Sequence, residues 1–223
     1  MHIHTISLEG VNSYLLRNAN GFYLIDSGYC TSRESLEQIL AAKGVEPGNL
    51  KLILHTHGDI DHVGNSAYLS EKYGAPTALH IADRKLVEEG VLDKKQFGSW
   101  FVKLIFKLQT SKNADRWLAD YVPFTPDIWL EDGMDLSAYG LDAVVYHLPG
   151  HSNGSVMFLT NEGDLFAGDT LMNAGRKMLL AGFANDFELL EETLDKLLRL
   201  DAQMVYPGHV KPFSWESFIR KNQ

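Results

Sequence analysis

A cluster of histidines and aspartates directly follows an apolar segment near residue 55. The stretch HTHGDIDHVG, residues 55–64, places three histidines and two aspartates within eight positions after LKLIL. Imidazole and carboxylate groups are the ligands that zinc and related divalent cations prefer in proteins. One such side chain would be ordinary at a turn, whereas five of them within eight positions predict a metal site.

Three further polar motifs occur where apolar segments end. They are PGHSNGS around His151, FAGDT around Asp169 and YPGH at His209, and each contains glycine. Glycine lets the backbone bend sharply and approach a neighbour closely. Ligands of open α/β folds bind beyond the carboxyl ends of the strands. We therefore expect these three loops and residues 55–64 to converge on one shared site.

The segments before the first motif predict a layered α/β fold. SYLLRN (13–18) and FYLIDSG (22–28) flank a glycine turn and predict a β-hairpin. A helix is predicted after it, with a capping box formed by Thr31 and Glu34 and an end at Gly44. Strands and helices then alternate, which favours a sheet covered by helices.

Residues 83–125 interrupt this alternation with helical periodicity and many aromatic side chains. We interpret the segment as an inserted helical cap within one domain spanning residues 1–223. The aromatic side chains could pack the cap itself, line a substrate pocket or form a homodimer interface, and lysines such as Lys95 could meet an anionic substrate. Strand-rich sequence resumes after Pro126 and includes MDLSAYG (134–140).

Composition narrows the class of partner and the location. The 223-residue chain carries a net charge of −9, which disfavours sequence-independent binding to nucleic acid or anionic lipid. It contains neither an apolar run long enough to span a membrane nor a signal-peptide pattern at its start. The one cysteine, Cys30, excludes an internal disulfide. We expect a cytoplasmic protein that acts on a small molecule.

Taken in order, HTHGDIDHVGN, LPGHSNGS, FAGDT and YPGH resemble the metal-binding loops of the metallo-β-lactamase superfamily. The first loop of that family reads His-x-His-x-Asp-His. A register that starts at His55 leaves no histidine after Asp59. A register that starts at His57 gives His57, Asp59, Asp61 and His62 and keeps the Asp-His pair, so we adopt it.

This resemblance implies a four-layer αββα sandwich, two divalent metal ions with zinc expected first, and hydrolysis by a hydroxide that bridges them. The implied substrate is a small-molecule ester, lactone, thioester or phosphodiester. Asp61 would orient the hydroxide as a catalytic residue. The resemblance implies one metal held by His57, Asp59 and His151, a second held by Asp61, His62 and His209, and Asp169 bridging both.

Asp59 stands where the family usually has histidine. Carboxylate is a harder ligand than imidazole and also suits manganese and iron. A di-iron redox protein and a non-catalytic metal-binding module are therefore alternatives to the hydrolase. With three aspartates, two divalent cations and one hydroxide, the inner set of charges is neutral, whereas a two-aspartate set would leave one positive charge. We expect the less positive site to acidify bound water less.

Other polar residues near these motifs have weaker patterns. His55 is interpreted as a strand-end residue rather than a ligand. Asp26, which ends a predicted strand, would either hold the metal-binding loops through hydrogen bonds or cap a turn. Tyr206, Asn153 and Asn173 are candidates for substrate contacts.

Overall fold

Two β-sheets form the framework of the chain in the computed structural model, which describes residues 1–92, 94–173, 178–180 and 182–222. The strands are, in chain order, β1 (His2–Leu8), β2 (Val11–Asn18), β3 (Gly21–Ile25), β4 (Leu50–Leu54), β5 (Thr77–His80), β6 (Gln96–Phe97), β7 (Ile128–Leu130), β8 (Ala143–His147), β9 (Val156–Thr160), β10 (Asp164–Gly168), β11 (Leu171–Asn173), β12 (Met178–Leu180), β13 (Phe183–Ala184), β14 (Met204–Pro207) and β15 (Phe213–Ser214). The α-helices are α1 (Arg33–Ala42), α2 (Ile60–Val63), α3 (Ser66–Tyr73), α4 (Arg84–Glu89), α5 (Trp100–Leu118), α6 (Phe187–Leu197) and α7 (Trp215–Asn222).

Strand direction determines which loops can meet. The first sheet has the order β1-β2-β3-β4-β5-β7, and the second has the order β15-β14-β10-β9-β8. β3, β4, β5 and β7 run parallel to one another. In the second sheet β10 and β14 are parallel. β8 runs in the same direction as β10, because β8 and β10 each pair antiparallel with β9. The loops after β8, β10 and β14 therefore leave from one edge of their sheet.

The two sheets pack face to face because each presents apolar side chains to the other. Successive residues of a strand point to opposite faces of its sheet, and in the central strands both faces are apolar. In β3, Tyr23 and Ile25 point into the cluster between the sheets, whereas Phe22 and Leu24 point to the outer face. Phe158 belongs to the same inner cluster and comes from the second sheet. A strand buried on both faces needs such a continuous apolar run.

Helices cover the outer faces of both sheets. Leu36 of α1 and Leu69 of α3 pack on the first sheet. Leu197 of α6 and Phe218 of α7 pack on the second sheet. The order of layers is helix, sheet, sheet, helix, and this confirms the four-layer αββα sandwich predicted from the sequence.

The predicted capping box at the start of α1 is wrong. The helix begins at Arg33, and the hydroxyl of Thr31 is buried without a hydrogen-bond partner among the described residues. The chain enters the helix through a 3-10 turn, in which Ser32 Oγ donates a hydrogen bond to the Tyr29 carbonyl instead. Gly44 does follow the helix end, with a φ of 85°.

The predicted strand over 134–140 is also wrong. Leu136–Tyr139 forms a 3-10 helix, because the Asp135 carboxylate accepts a hydrogen bond from the Ser137 amide and caps the turn. Gly140 ends it with a φ of 84°. Local side-chain bonding of this kind competes with extended structure.

Between residues 83 and 125 the chain forms α4, β6 and α5. β6 pairs with β13, where Phe97 lies opposite Phe183. Trp100, Phe101 and Leu104 of α5 are exposed. A homodimer interface through this segment stays a prediction. No helix within the described residues is both long enough and apolar enough to cross a membrane.

We expect Phe158→Ala to lower the free energy of unfolding by about 3–5 kcal/mol, the usual cost of a cavity in a packed core. Phe158 is 0% exposed between the two sheets. Urea titration followed by circular dichroism measures the change. The control is Leu104→Ala, since Leu104 is 46% exposed and should cost less than about 1 kcal/mol. Equal losses for both variants would contradict the assignment of this core.

Candidate metal centre

Four loops bring the seven predicted ligands together. Residues 57–62 follow β4, His151 follows β8, Asp169 follows β10 and His209 follows β14. Their ligand atoms form three overlapping groups, each within 4.8 Å: His57, Asp59 and His151; His57, His62 and Asp169; Asp61, His62 and His209. The first and third groups have the same members as the two ligand sets that the resemblance implies. The binding of metal itself stays a prediction.

Asp169 lies between these groups. Its Oδ1 is 3.4 Å from His62 Nε2, and its Oδ2 is 3.1 Å from His209 Nε2. The same Oδ2 is 3.9 Å from His151 Nε2. Burial opposes ionisation of this carboxyl, but His209 and His62 hold its pKa well below the usual range. The Asp169 carboxylate therefore lies close to histidines of both ligand sets that the resemblance implies.

Each of the four histidines has its Nδ1 atom held by a protein oxygen. The contacts are His57 to Thr56 Oγ1 at 3.0 Å, His62 to Asp26 Oδ2 at 2.9 Å, His151 to the Phe183 carbonyl at 3.1 Å, and His209 to the Gly10 carbonyl at 2.7 Å. A ring that donates from Nδ1 leaves the Nε2 lone pair for a metal, and such partners fix the ring orientation. All four Nε2 atoms face the cluster.

Asp26 connects two of these histidines. Its carboxylate accepts hydrogen bonds from the Thr56 amide at 2.9 Å, from the Thr56 hydroxyl at 2.8 Å and from His62 Nδ1 at 2.9 Å. Because the Thr56 hydroxyl donates to Asp26, its oxygen is the acceptor for His57 Nδ1. Of the two roles expected for Asp26, the hydrogen-bonding role is confirmed for the loop after β4, to which both Thr56 and His62 belong.

Asp83 performs a similar task that the sequence did not reveal. Its carboxylate accepts hydrogen bonds from the Gly58 amide at 2.9 Å, the Gly154 amide at 2.7 Å and the Ser152 hydroxyl at 2.6 Å. It thereby joins the loop after β4 to the loop after β8. A Cβ atom on Gly154 would lie 2.6 Å from Asp83 Cγ, so this contact requires glycine.

The buried polar atoms of the cluster fit bound cations. Nε2 of His57, Nε2 of His62 and Oδ1 of Asp169 are buried and have no hydrogen-bond partner among the described residues. Each unpaired buried polar atom costs roughly 1–3 kcal/mol, and coordination to a cation would remove that cost. The mixture of imidazole and carboxylate suits zinc, iron and manganese. The residues therefore fit two divalent cations.

His55 lies outside the three groups, as expected from the chosen register. Its ring centroid is 5.9 Å from that of Phe124, and both of its nitrogens lack a hydrogen-bond partner among the described residues. Burial lowers the pKa of His55 to about 4. It is therefore a neutral histidine packed behind the site.

Lys95 is an unexpected member of the site. Its Nζ lies 2.9 Å from Asp59 Oδ2 and donates a hydrogen bond of 2.9 Å to the His151 carbonyl, and the side chain is only 3% exposed. Burial opposes ionisation of Asp59, yet this ammonium and the rings of His151 and His57 hold its pKa well below the usual range. The lysine faces an aspartate of the cluster rather than solvent.

Tyr206 is not at the site, contrary to the sequence-based expectation. Its ring stacks on Phe166 at 4.9 Å in the core between the sheets. Asn153 is exposed, and the Asn173 side chain lies outside the described residues. Tyr29, which the sequence did not single out, lies near the cluster. Burial raises the pKa of its hydroxyl, and so do the charges of Asp61 and Asp169. Its ring stacks on Trp117 at 4.7 Å.

We expect Asp26→Asn to weaken zinc binding about 10- to 100-fold, the usual effect of losing an outer partner of a ligating histidine. The amide keeps the size of the side chain but lacks the charge that orients His62. Competition with a chromophoric chelator measures the affinity. The control is Asp135→Asn, the same chemical change at an exposed turn, where affinity should not change. Equal affinities of the Asp26 variant and the unaltered protein would refute the role.

Comparisons with known proteins agree with this geometry. The chain is 30% identical to protein Rv2581c of Mycobacterium tuberculosis over 91% of this chain and 87% of that protein. It is 30% identical to a hydroxyacylglutathione hydrolase of Anaeromyxobacter dehalogenans over 88% of this chain and 60% of that enzyme. The solved structure of TTHA1623 in a di-iron-bound form is 30% identical, with a TM-score of 0.71 over 99% of this chain and 98% of that chain. A family model described as the metallo-beta-lactamase superfamily matches residues 6–209, and the chain belongs to that superfamily.

Proposed function

We propose that this chain is a metal-dependent hydrolase with a binuclear site, and that its substrate is a small-molecule thioester or ester. Lactones and phosphodiesters are the next classes to test. The observation that carries the proposal is the position of Asp169 between two groups of ligand atoms. That arrangement suits two cations that share one carboxylate, which is typical of binuclear hydrolases.

His57, Asp59 and His151 would hold one cation, and Asp61, His62 and His209 would hold the other, with Asp169 between them. Two bound divalent cations would supply Lewis acidity and a water-derived nucleophile at neutral pH. The Nδ1 contacts keep the four rings in place, and Asp26 and Asp83 keep the loops in place. The polypeptide thus supplies rigid geometry before any substrate arrives, as such chemistry requires.

The exposed side of the cluster indicates where a substrate enters. His209 is 22% exposed, Asp61 is 17% exposed and Asp59 is 15% exposed, whereas His57, His62 and His151 are buried. A substrate would therefore approach from the side on which these three side chains are exposed, and Asp61 is one of them. The carboxylate of Asp61 would accept a hydrogen bond from the attacking water and orient it, which is the catalytic role expected from the sequence.

Two observations support an acyl substrate. The stacked rings of Tyr29 and Trp117 provide an apolar surface beside the cluster. The chain is also similar to proteins named hydroxyacylglutathione hydrolase, from Anaeromyxobacter dehalogenans and from Haemophilus influenzae, each 30% identical over its matched region. The chain spans 60% of the first and 69% of the second. A thioester is accordingly the first substrate class to test.

A di-iron redox protein is the second candidate. It is favoured by TTHA1623, a relative that has been solved with two irons, and by Asp59, because carboxylate suits iron. Metal analysis of the purified protein, together with a search for the absorption of an oxidised di-iron centre, separates the two candidates. The cytoplasmic location and the absence of a nucleic-acid partner stay predictions from composition.

We expect chelation to abolish hydrolysis of a hydroxyacyl thioester of glutathione, and we expect zinc, manganese or iron to restore it. Release of the free thiol, followed with a thiol reagent, measures the rate. If the metal-loaded protein hydrolyses no thioester, ester, lactone or phosphodiester, the hydrolase proposal fails and a non-catalytic metal-binding module is favoured.

Asp169→Asn should lower kcat/KM by more than about a hundredfold, which exceeds the usual effect of losing a residue that only hydrogen-bonds to a metal ligand. The variant retains size and loses the charge that two cations would share. The matched control is Asp164→Asn, at the start of the same strand β10, whose kcat/KM should stay within about threefold of the unaltered protein, as for a site far from the chemistry. Similar losses in both variants would assign the effect to folding.

A further inference from the structure

We propose that Lys95 is the charge partner of Asp59 and sets how tightly the group formed by His57, Asp59 and His151 binds a divalent cation. Lys95 is thus a positioning residue that acts through Asp59. The inference rests on the metal site of the proposed function and is independent of which bond that site hydrolyses.

Burial of the lysine shows that it belongs to the cluster. A lysine side chain is almost never fully buried unless it is paired, and the side chain of Lys95 is 3% exposed. Its ammonium lies 2.9 Å from the carboxylate of Asp59 and 2.9 Å from the carbonyl oxygen of His151. The ammonium group of Lys95 therefore contacts two of the three residues of the first group.

The strand next to Lys95 fixes it in this position. Gln96 lies opposite Ala184 in the pairing of β6 with β13, and its side-chain amide donates to the Asn185 carbonyl. The Asn185 amide in turn donates to the His151 carbonyl, which is the oxygen that Lys95 contacts. The insert is therefore attached to the loop of His151 where the lysine enters the site.

The pair explains how the family's histidine can be replaced by an acid. Histidine is a neutral ligand, whereas Asp59 adds one negative charge, and Lys95 adds one positive charge beside it. Together Asp59 and Lys95 have the net charge of one neutral histidine. Where the ligands alone predict a less positive site, adding the charge of Lys95 gives the net charge of a two-aspartate site.

The same geometry predicts unequal binding by the two groups. Asp59 Oδ2 lies 3.5 Å from His57 Nε2 and 3.1 Å from His151 Nε2, and it is also the atom that faces the ammonium. A divalent cation held by the first group would share the Asp59 carboxylate with Lys95 and would be repelled by the ammonium charge. Among the ion pairs that the structure describes, none joins a lysine or arginine to Asp61 or Asp169. We therefore expect the first group to be the weaker site.

Zinc titration of the metal-free full chain by calorimetry tests the inference, with Lys95→Met, Lys95→Arg, Asp59→His and the double variant Asp59→His with Lys95→Met. Lys95→Met should tighten the weaker site about tenfold or more, because a repelling charge near the cation is removed. The tighter site should change less than about threefold. Lys95→Arg keeps the charge and should keep the affinities of the unaltered protein. Lys103→Met, at an exposed lysine of α5, is the matched control.

Asp59→His alone leaves the buried ammonium without its anion, so we expect it to bind zinc no more tightly than the unaltered protein. The double variant removes both charges and should bind zinc more tightly than Asp59→His and with less preference for manganese. The comparison of Asp59→His with the double variant tests the inference even if Lys95→Met is unstable. The double variant lacks both charges, so neither is left unpaired in it.

Unchanged zinc affinities in Lys95→Met, or an Asp59→His variant that binds zinc as tightly as the double variant, would overturn the inference. In either case a protein that still binds two cations and still hydrolyses its substrate leaves the proposed function standing. A chain that binds no zinc, manganese or iron would overturn both.

Discussion

Four buried or nearly buried carboxylates, those of Asp26, Asp59, Asp61 and Asp169, share one edge of the sandwich, and the arrangement around them depends on how their charge is neutralised. A buried charge is costly unless it is paired and hydrogen-bonded. Asp26 has two bonds from Thr56 and one from a histidine, and Asp59 has Lys95. Asp61 and Asp169 face the Nε2 atoms of histidines.

Two of those histidines, His62 and His209, respond to the carboxylates beside them. Burial opposes protonation of His62 and His209, but Asp61 and Asp169 hold the pKa of both rings well above the usual range. A bound divalent cation would supply positive charge to the same two carboxylates. At two glycines the backbone lies very close to the polar side chains of the cluster. A side chain at Gly208 would collide with the Asp169 carboxylate, and a Cβ atom at Gly168 would lie 2.6 Å from Thr56 Oγ1. These contacts explain the glycines of FAGDT and YPGH.

The convergence of the ligands could be predicted from the sequence because it follows from a local rule. Apolar strands are recognisable one at a time, their carboxyl ends share an edge when they run parallel, and each polar motif directly follows such a strand. Asp83 and Lys95 do not obey that rule. Each reaches the site from the segment 83–125, and each is identified only by its partner, which is a backbone amide of Gly154 or the carboxylate of Asp59. No spacing in the sequence encodes contacts of that range.

The predicted capping box is wrong because a 3-10 turn precedes α1. This turn moves the start of the helix to Arg33.

The insert is therefore part of the centre and not only a cover for it. Lys95, which precedes α5, contacts Asp59, whereas Trp117 near the end of α5 stacks on Tyr29. The second attachment is strengthened by the Cys30 thiol, which donates a hydrogen bond of 2.9 Å to the Trp117 carbonyl. One segment thus determines both a charge beside the candidate ligands and an apolar surface beside the cluster. A change in this segment would alter the electrostatics of the metal site and the shape available to a substrate, while the four loops stay the same. A conserved fold can in this way support different substrates.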